Sequence, residues 1–119
     1  MKQEKLVRAY MVLDKFAKIS FPLSISNKIF LMKEKLQPQY DFQSQEETKC
    51  FNENEGSFND QGKMTFPKIN NYQAFENRMK ELKNLDVDIE ITPIEISIDD
   101  SIMITADEIK DLQGFINFI

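Results

Sequence analysis

A chain of 119 residues with ten phenylalanines, three glycines and four prolines is long enough for one packed domain and too short for two. It has no histidine, one cysteine and a net charge of −5, which excludes imidazole acid–base chemistry, histidine metal sites, thiolate-rich zinc sites and an internal disulfide. The glycines stand apart and no Gly-Lys-Ser/Thr occurs, so a phosphate-cradling loop is excluded as well.

From Lys5 to Ile19 the apolar residues Leu6, Val7, Tyr10, Leu13, Phe16 and Ala17 recur at three- and four-residue spacings, which predicts an amphipathic helix with its Lys and Arg side chains outward. Ser20-Phe21-Pro22-Leu23 stops it, since proline removes a donor and restricts the preceding residue. Ser24 or Ser26 is expected to cap a second helix whose seam, Ile25, Ile29, Met32 and Leu36, packs against the first as an antiparallel hairpin. Pro38 interrupts that pattern. The glutamine- and glutamate-rich stretch beyond it favours a kinked continuation, with no glycine before Gly56.

Residues 52–63 are rich in turn formers, and Ser57-Phe58 is expected to pair with Lys63 to Phe66 as a small hairpin. Asn70 or Asn71 then opens a third helix with Tyr72, Phe75, Met79 and Leu82 on its apolar stripe and Glu76, Lys80 and Lys83 outward. Glu76 and Lys80 stand in the favourable order for an i,i+4 pair.

Asn84 to Asp99 is the one long run of alternating apolar and polar residues. Alternation with period two is a strand signature, placing Val87, Ile89 and Ile91 inward and Asp86, Asp88 and Glu90 outward. The phase slips at Thr92-Pro93, after which Ile94, Ile96 and Ile98 carry the apolar face, so a bulge or break belongs there. Ile102 to Ile104 suggests a last short strand. Thr105-Ala106-Asp107-Glu108 reads as a capping box for a final helix with Ile109, Leu112, Ile116 and Ile119 on one stripe and Phe115 and Phe118 beside it. The expected fold is therefore α+β, a single domain over residues 1–119: a helical hairpin and a third helix on a small antiparallel sheet built on residues 87–98, with a docked C-terminal helix.

Charge is uneven along the chain. Residues 1–38 hold eight Lys/Arg and three Asp/Glu, whereas residues 39–119 hold seven and seventeen. A basic hairpin folded against an acidic ribbon, head-to-tail self-association, or two patches for different partners would each account for this. Nucleic-acid binding through Lys5, Arg8, Lys15, Lys18, Lys28, Lys33 and Lys35 is disfavoured by the negative net charge, the single arginine among them and the lack of a groove-reading motif.

The pair Asp99-Asp100 and the row Asp86, Asp88 and Glu90 are the only carboxylate groupings that suggest acid–base work, and a solvated strand face explains the row better. Asn54-Glu55-Gly56 and Asn59-Asp60-Gln61-Gly62 match a calcium loop poorly. Cys50 reads as a bystander thiol. No catalytic, cofactor-binding or metal-binding residue is assigned, and Asp86, Asp88 and Glu90 form the candidate interaction surface. The longest apolar run, Ala9–Leu13, is far short of the roughly 20 residues of a bilayer span. Without a charged-then-apolar leader, the protein is expected to begin at Met1 and to stay in the cytoplasm, away from membranes.

The segment order resembles a group of small uncharacterised bacteriophage and prophage proteins, a domain of unknown function. The residues that carry the resemblance run from Phe21-Pro22-Leu23-Ser24-Ile25-Ser26-Asn27-Lys28-Ile29 through Asp60-Gln61-Gly62-Lys63-Met64-Thr65-Phe66, Phe75 to Leu82 and Leu85 to Ile91. It closes with Ile104-Thr105-Ala106-Asp107-Glu108-Ile109 and Leu112. The resemblance implies a phage origin in a bacterial host and no catalytic residues. The expected function is a non-enzymatic phage accessory or assembly protein acting through contacts with a phage structural or host protein, with no cofactor. The alternatives are a counter-defence inhibitor that presents its acidic face to a host nucleic-acid-binding enzyme, and a protein that sequesters or hydrolyses a small ligand. Homo-oligomerisation is compatible with the charge pattern.

Overall fold

The three- and four-residue spacing near the N-terminus produces α1 (Gln3–Phe16), which buries Leu6, Val7, Ala9, Tyr10, Val12, Leu13 and Phe16. The computed structural model describes residues 1–97, 99 and 102–119. Ala17, placed on the apolar stripe by spacing alone, is exposed, because the helix ends one residue before it. The following helix, α2 (Leu23–Glu53), is 31 residues long and passes through Pro38. The helix thus continues past proline as the Gln- and Glu-rich composition predicts. Neither Ser24 nor Ser26 caps it. Pro22 occupies the cap position, and Ser26 Oγ instead donates to the Phe21 carbonyl at 3.4 Å.

At about 1.5 Å per residue, α2 is roughly 46 Å long. It is the spine of a molecule measuring 51 × 34 × 22 Å. α1 lies antiparallel to its first half. Tyr10 Oη donates to Gln37 Oε1 at 2.8 Å, the Tyr10 and Tyr40 rings stack at 4.4 Å, and Lys33 Nζ meets Asp14 at 2.7 Å. The third helix, α3 (Ile69–Lys83), returns along the second half of α2, held by Arg78 on Glu46 at 3.3 Å and by Phe75 against Phe51. Its cap position is Lys68, without a side-chain cap bond, so Asn70 and Asn71 lie inside the helix. Tyr72 is exposed and its hydroxyl donates to Glu76 at 2.7 Å, which takes the place of the expected Glu76–Lys80 pair.

α3 ends where α1 begins. The Gln3 N–H donates to the Leu85 carbonyl at 2.9 Å and Lys2 Nζ to the Asn84 carbonyl at 3.0 Å, so the carbonyl end of one helix meets the amide end of the other along the spine. Gln3 is wholly buried at this junction, its amide donating to the Gln39 carbonyl at 2.7 Å.

The expected hairpin forms as β1 (Ser57–Phe58) and β2 (Met64–Thr65), antiparallel, around a loop in which Asn59 Oδ1 accepts from the N–H groups of Gln61 and Lys63 at 2.9 Å each. Phe51, Phe58, Phe66, Tyr72 and Phe75 meet here as an aromatic cluster, with neighbouring rings 5.0 to 6.3 Å apart.

The acidic ribbon has the predicted faces but not the predicted pairing. Val87, Ile89 and Ile91 are half-buried against the core, while Asp86, Asp88 and Glu90 are exposed. Among the described residues the only β-bridge of this segment is the isolated one between Lys2 and Asp86. The ladder begins after the slip at Thr92-Pro93, as β3 (Ile94–Ile96), and its partner is β4 (Ile116–Phe118), parallel, with Ile94 opposite Ile116. The sheet expected to be antiparallel over residues 87–98 is therefore a short parallel pair. Parallel strands need a crossover of about a dozen residues or more, and residues 97–115 supply one containing α4 (Ala106–Asp111). Ile98 lies outside the described residues, and Ile102–Ile104 forms no strand.

The capping box is present: Thr105 Oγ1 accepts from the Glu108 N–H at 3.1 Å, and Glu108 Oε1 accepts from the Thr105 N–H at 2.9 Å. The helix stops after Asp111, short of the predicted residue 119, because Gly114 adopts φ +88° and turns the chain into β4. Leu112, Phe115 and Ile116 are docked in the core with Leu6, Leu13, Phe16, Ile29, Leu36 and Ile96. The class is α+β, dominated by helix, with an N-terminal helical hairpin, a third helix and a docked C-terminal end.

Candidate interaction surfaces

The acidic strip is built by alternation. Because Val87, Ile89 and Ile91 anchor in the core, Asp86, Asp88 and Glu90 project outward as a row. Asp86 is engaged by Lys2 at 3.1 Å, both side chains mostly exposed. Asp88 and Glu90 have no ion-pair or hydrogen-bond partner among the described residues. Backbone bonding follows the same geometry. Val87 exchanges both its bonds with Met1, at 2.8 and 3.1 Å, whereas the backbone groups of residues 88–92 have no partner within the described chain.

The basic half is largely neutralised where it touches acids. Asp14 takes Lys33 at 2.7 Å and Lys18 at 3.7 Å, Arg8 takes Glu4 at 2.6 Å, and Lys15 reaches Glu108 at 2.7 Å. The Lys33 ammonium holds the Asp14 carboxyl below its ordinary value, against a smaller opposing effect of burial. Asp14 in return raises Lys33. Lys15 and the Thr105 N–H together depress Glu108. Two of these cross-links, Lys2–Asp86 and Lys15–Glu108, join the basic N-terminal third to the acidic C-terminal part, so folding itself accounts for part of the charge asymmetry. Lys5, Lys28 and Lys35 make no ion pair among the described residues.

Sequence spacing does not show two further surfaces, because their members are far apart in the chain. A cleft of about 560 Å³ brings Lys2, just ahead of α1, and Lys5 and Arg8 of α1 to Lys110 at the end of α4, with Glu4 and Asp111 on its wall. A groove of about 450 Å³ runs between α2 and the hairpin, lined by Phe51, Phe58 and Met64. Phe58 and Met64 are directly opposite in the β1–β2 register, so both stand on one hairpin face. Spacing placed Phe58 and Phe66 in a hairpin and Tyr72 and Phe75 on a helical stripe, but neither the part of Phe51 nor the convergence of these rings was legible.

Among the described residues no group of three His, Cys, Asp or Glu is placed to hold a metal ion. Asp99 is described and Asp100 is not, so the carboxylate pair lies partly outside the described residues. Burial pushes the Cys50 thiol up, away from the reactive thiolate, although Asn54 Nδ2 donates to its sulfur at 3.5 Å. Among the described residues no helix is long and apolar enough to cross a membrane. We found no family model, no curated protein and no solved structure that matches this chain.

Proposed function

We propose that this chain is a non-enzymatic accessory or assembly protein of phage origin, working in the bacterial cytoplasm by binding another protein through Asp86, Asp88 and Glu90. The observation that carries this reading is the pairing of a half-buried and an unpartnered face on one segment: Ile89 and Ile91 are fixed against the core while Asp88 and Glu90 point outward, with no ion-pair or hydrogen-bond partner among the described residues. A charge row held on an anchored segment loses little conformational freedom on binding. The resemblance to small phage and prophage proteins supports the origin. A host nucleic-acid-binding enzyme is the second candidate partner, since residues 86–111 carry nine acids and one lysine, a charge density that suits a surface evolved for phosphates.

Replacing Asp86, Asp88 and Glu90 by Asn, Asn and Gln tests the reading. The variant should melt as the parent does, because these side chains are exposed. It should retain less partner from infected-cell lysate at low salt, with a flatter salt dependence. Virion components among the lost proteins would favour assembly, and a host enzyme would favour inhibition. Equal retention by both proteins at low and high salt would remove the acidic strip from the function.

A further inference from the structure

We propose that residues 88–92 form an open strand edge that accepts an extended, cationic segment of the partner protein by antiparallel strand addition. This rests on the protein-binding reading above and names the chemistry of the partner.

The edge is defined by what already bonds to it. Leu85 accepts from the Gln3 N–H, Lys2 faces Asp86, and Val87 exchanges both bonds with Met1, so residues 1–3 run antiparallel to residues 85–87 in regular register. In an extended segment, residues two apart present their N–H and C=O groups to the same edge. Ile89 and Ile91 therefore continue the edge on which Val87 is paired, and among the described residues nothing bonds to them. Their side chains are held against the core, so the edge is anchored from behind. Pro93 has no N–H and closes the edge on the far side. The open stretch is about one short strand long.

Charge selects the occupant. With Val87 in a hydrogen-bonded pair, Asp88 and Glu90 fall at the intervening non-hydrogen-bonded positions, where facing residues come closest, about 4.5 Å between Cα atoms. A Lys or Arg opposite each acid is favourable there, and a like charge is not. A second copy of this edge would bring Asp88 and Glu90 onto the same acids, which disfavours self-pairing. The segment that fits has cationic residues at alternate positions and apolar residues between them, the latter directed inward beside Ile89 and Ile91.

The probe is an acetylated, amidated seven-residue peptide that alternates lysine and valine, beginning and ending with lysine. Its control carries the same charges with every valine N-methylated, which removes the donors that would face Ile89 and Ile91. Amide hydrogen exchange of the folded full chain is read by NMR. The parent peptide at saturation should slow exchange at Ile89 and Ile91 at least tenfold, and the methylated peptide should not. Equal binding of both peptides without that slowing would overturn strand addition and leave electrostatic docking standing. Binding of neither peptide, together with partner retention unchanged in the acidic-strip triple variant, would overturn both.

Discussion

Glu108 accepts the Thr105 backbone N–H at 2.9 Å and the Lys15 ammonium at 2.7 and 2.9 Å, with its side chain 16% exposed. Those donors favour the carboxylate, Lys15 most, so the folded carboxyl titrates below its unfolded value of about 4.3. The stabilisation is therefore present above the unfolded pKa and is lost as pH falls through the folded one. Glu108→Gln keeps a capping acceptor but loses the charge opposite a half-exposed lysine, so it should cost about 0.5–1 kcal/mol at pH 7. Below both pKa values the two proteins should be equally stable. Urea unfolding at pH 7 and pH 2 measures this, and a gap that persists at pH 2 would assign the loss to packing. The capping box was legible because its four residues are contiguous. Its partner Lys15 was not, since 93 residues separate them.

At the scale of an element, the end of α2 shows how a helix stop is built without glycine in the left-handed position. Gly56 N–H donates to the Phe51 carbonyl at 2.9 Å and Glu55 N–H to the Asn52 carbonyl at 3.1 Å, the paired bonds of a Schellman turn. Glu55 takes the left-handed conformation, φ 56°. Gly56 is required for a different reason: a Cβ there would lie 2.8 Å from Phe51 Cγ and closer still to the ring edge. Glu55→Gly should thus raise stability by about 0.5–1 kcal/mol, the left-handed penalty less the entropy of a freer unfolded chain. Gly56→Ala should lower it by about 1–3 kcal/mol through overpacking. Chemical denaturation of the two single variants tests both signs, and the reverse order would place the strain at Gly56. The break at Gly56 was readable from composition. Which of the two residues bears the unusual backbone depended on where the Phe51 ring lies.

Across the whole molecule, α2 joins two apolar clusters. One is the core of α1, the first half of α2, the segment 87–96 and the chain's end; the other is the aromatic cluster under the hairpin. Deleting residues 109–119 removes Leu112, Phe115 and Ile116, all fully or almost fully buried, and the strand paired with β3. Three such side chains are worth roughly 1.5–3 kcal/mol each, against a total stability of about 5–15 kcal/mol. The truncated chain should show no cooperative thermal transition by circular dichroism. A sharp transition near that of the full chain would mean that the helical hairpin and α3 fold without the C-terminal strand. Ile109 and Ile119, grouped with the others by spacing, are 43% and 72% exposed and contribute little to this loss.

Local sequence determined α1, α2, α3, the start of α4, the hairpin, the inward and outward faces of residues 86–91, the phase slip at Pro93 and the capping box, because each is a relation between near neighbours in the chain. Tertiary structure decided what each face meets. A strand signature records which side of a segment is buried, but not whether a second strand lies beside it. So Val87 to Ile91 kept the predicted alternation while the ladder formed at Ile94–Ile96, parallel to residues that helical spacing alone had assigned to a helix. That choice followed from Gly114, whose left-handed turn ends α4 and lets Phe115 enter the core just ahead of the strand that Ile116 begins. It left the backbone of residues 88–92 without a bonding partner among the described residues.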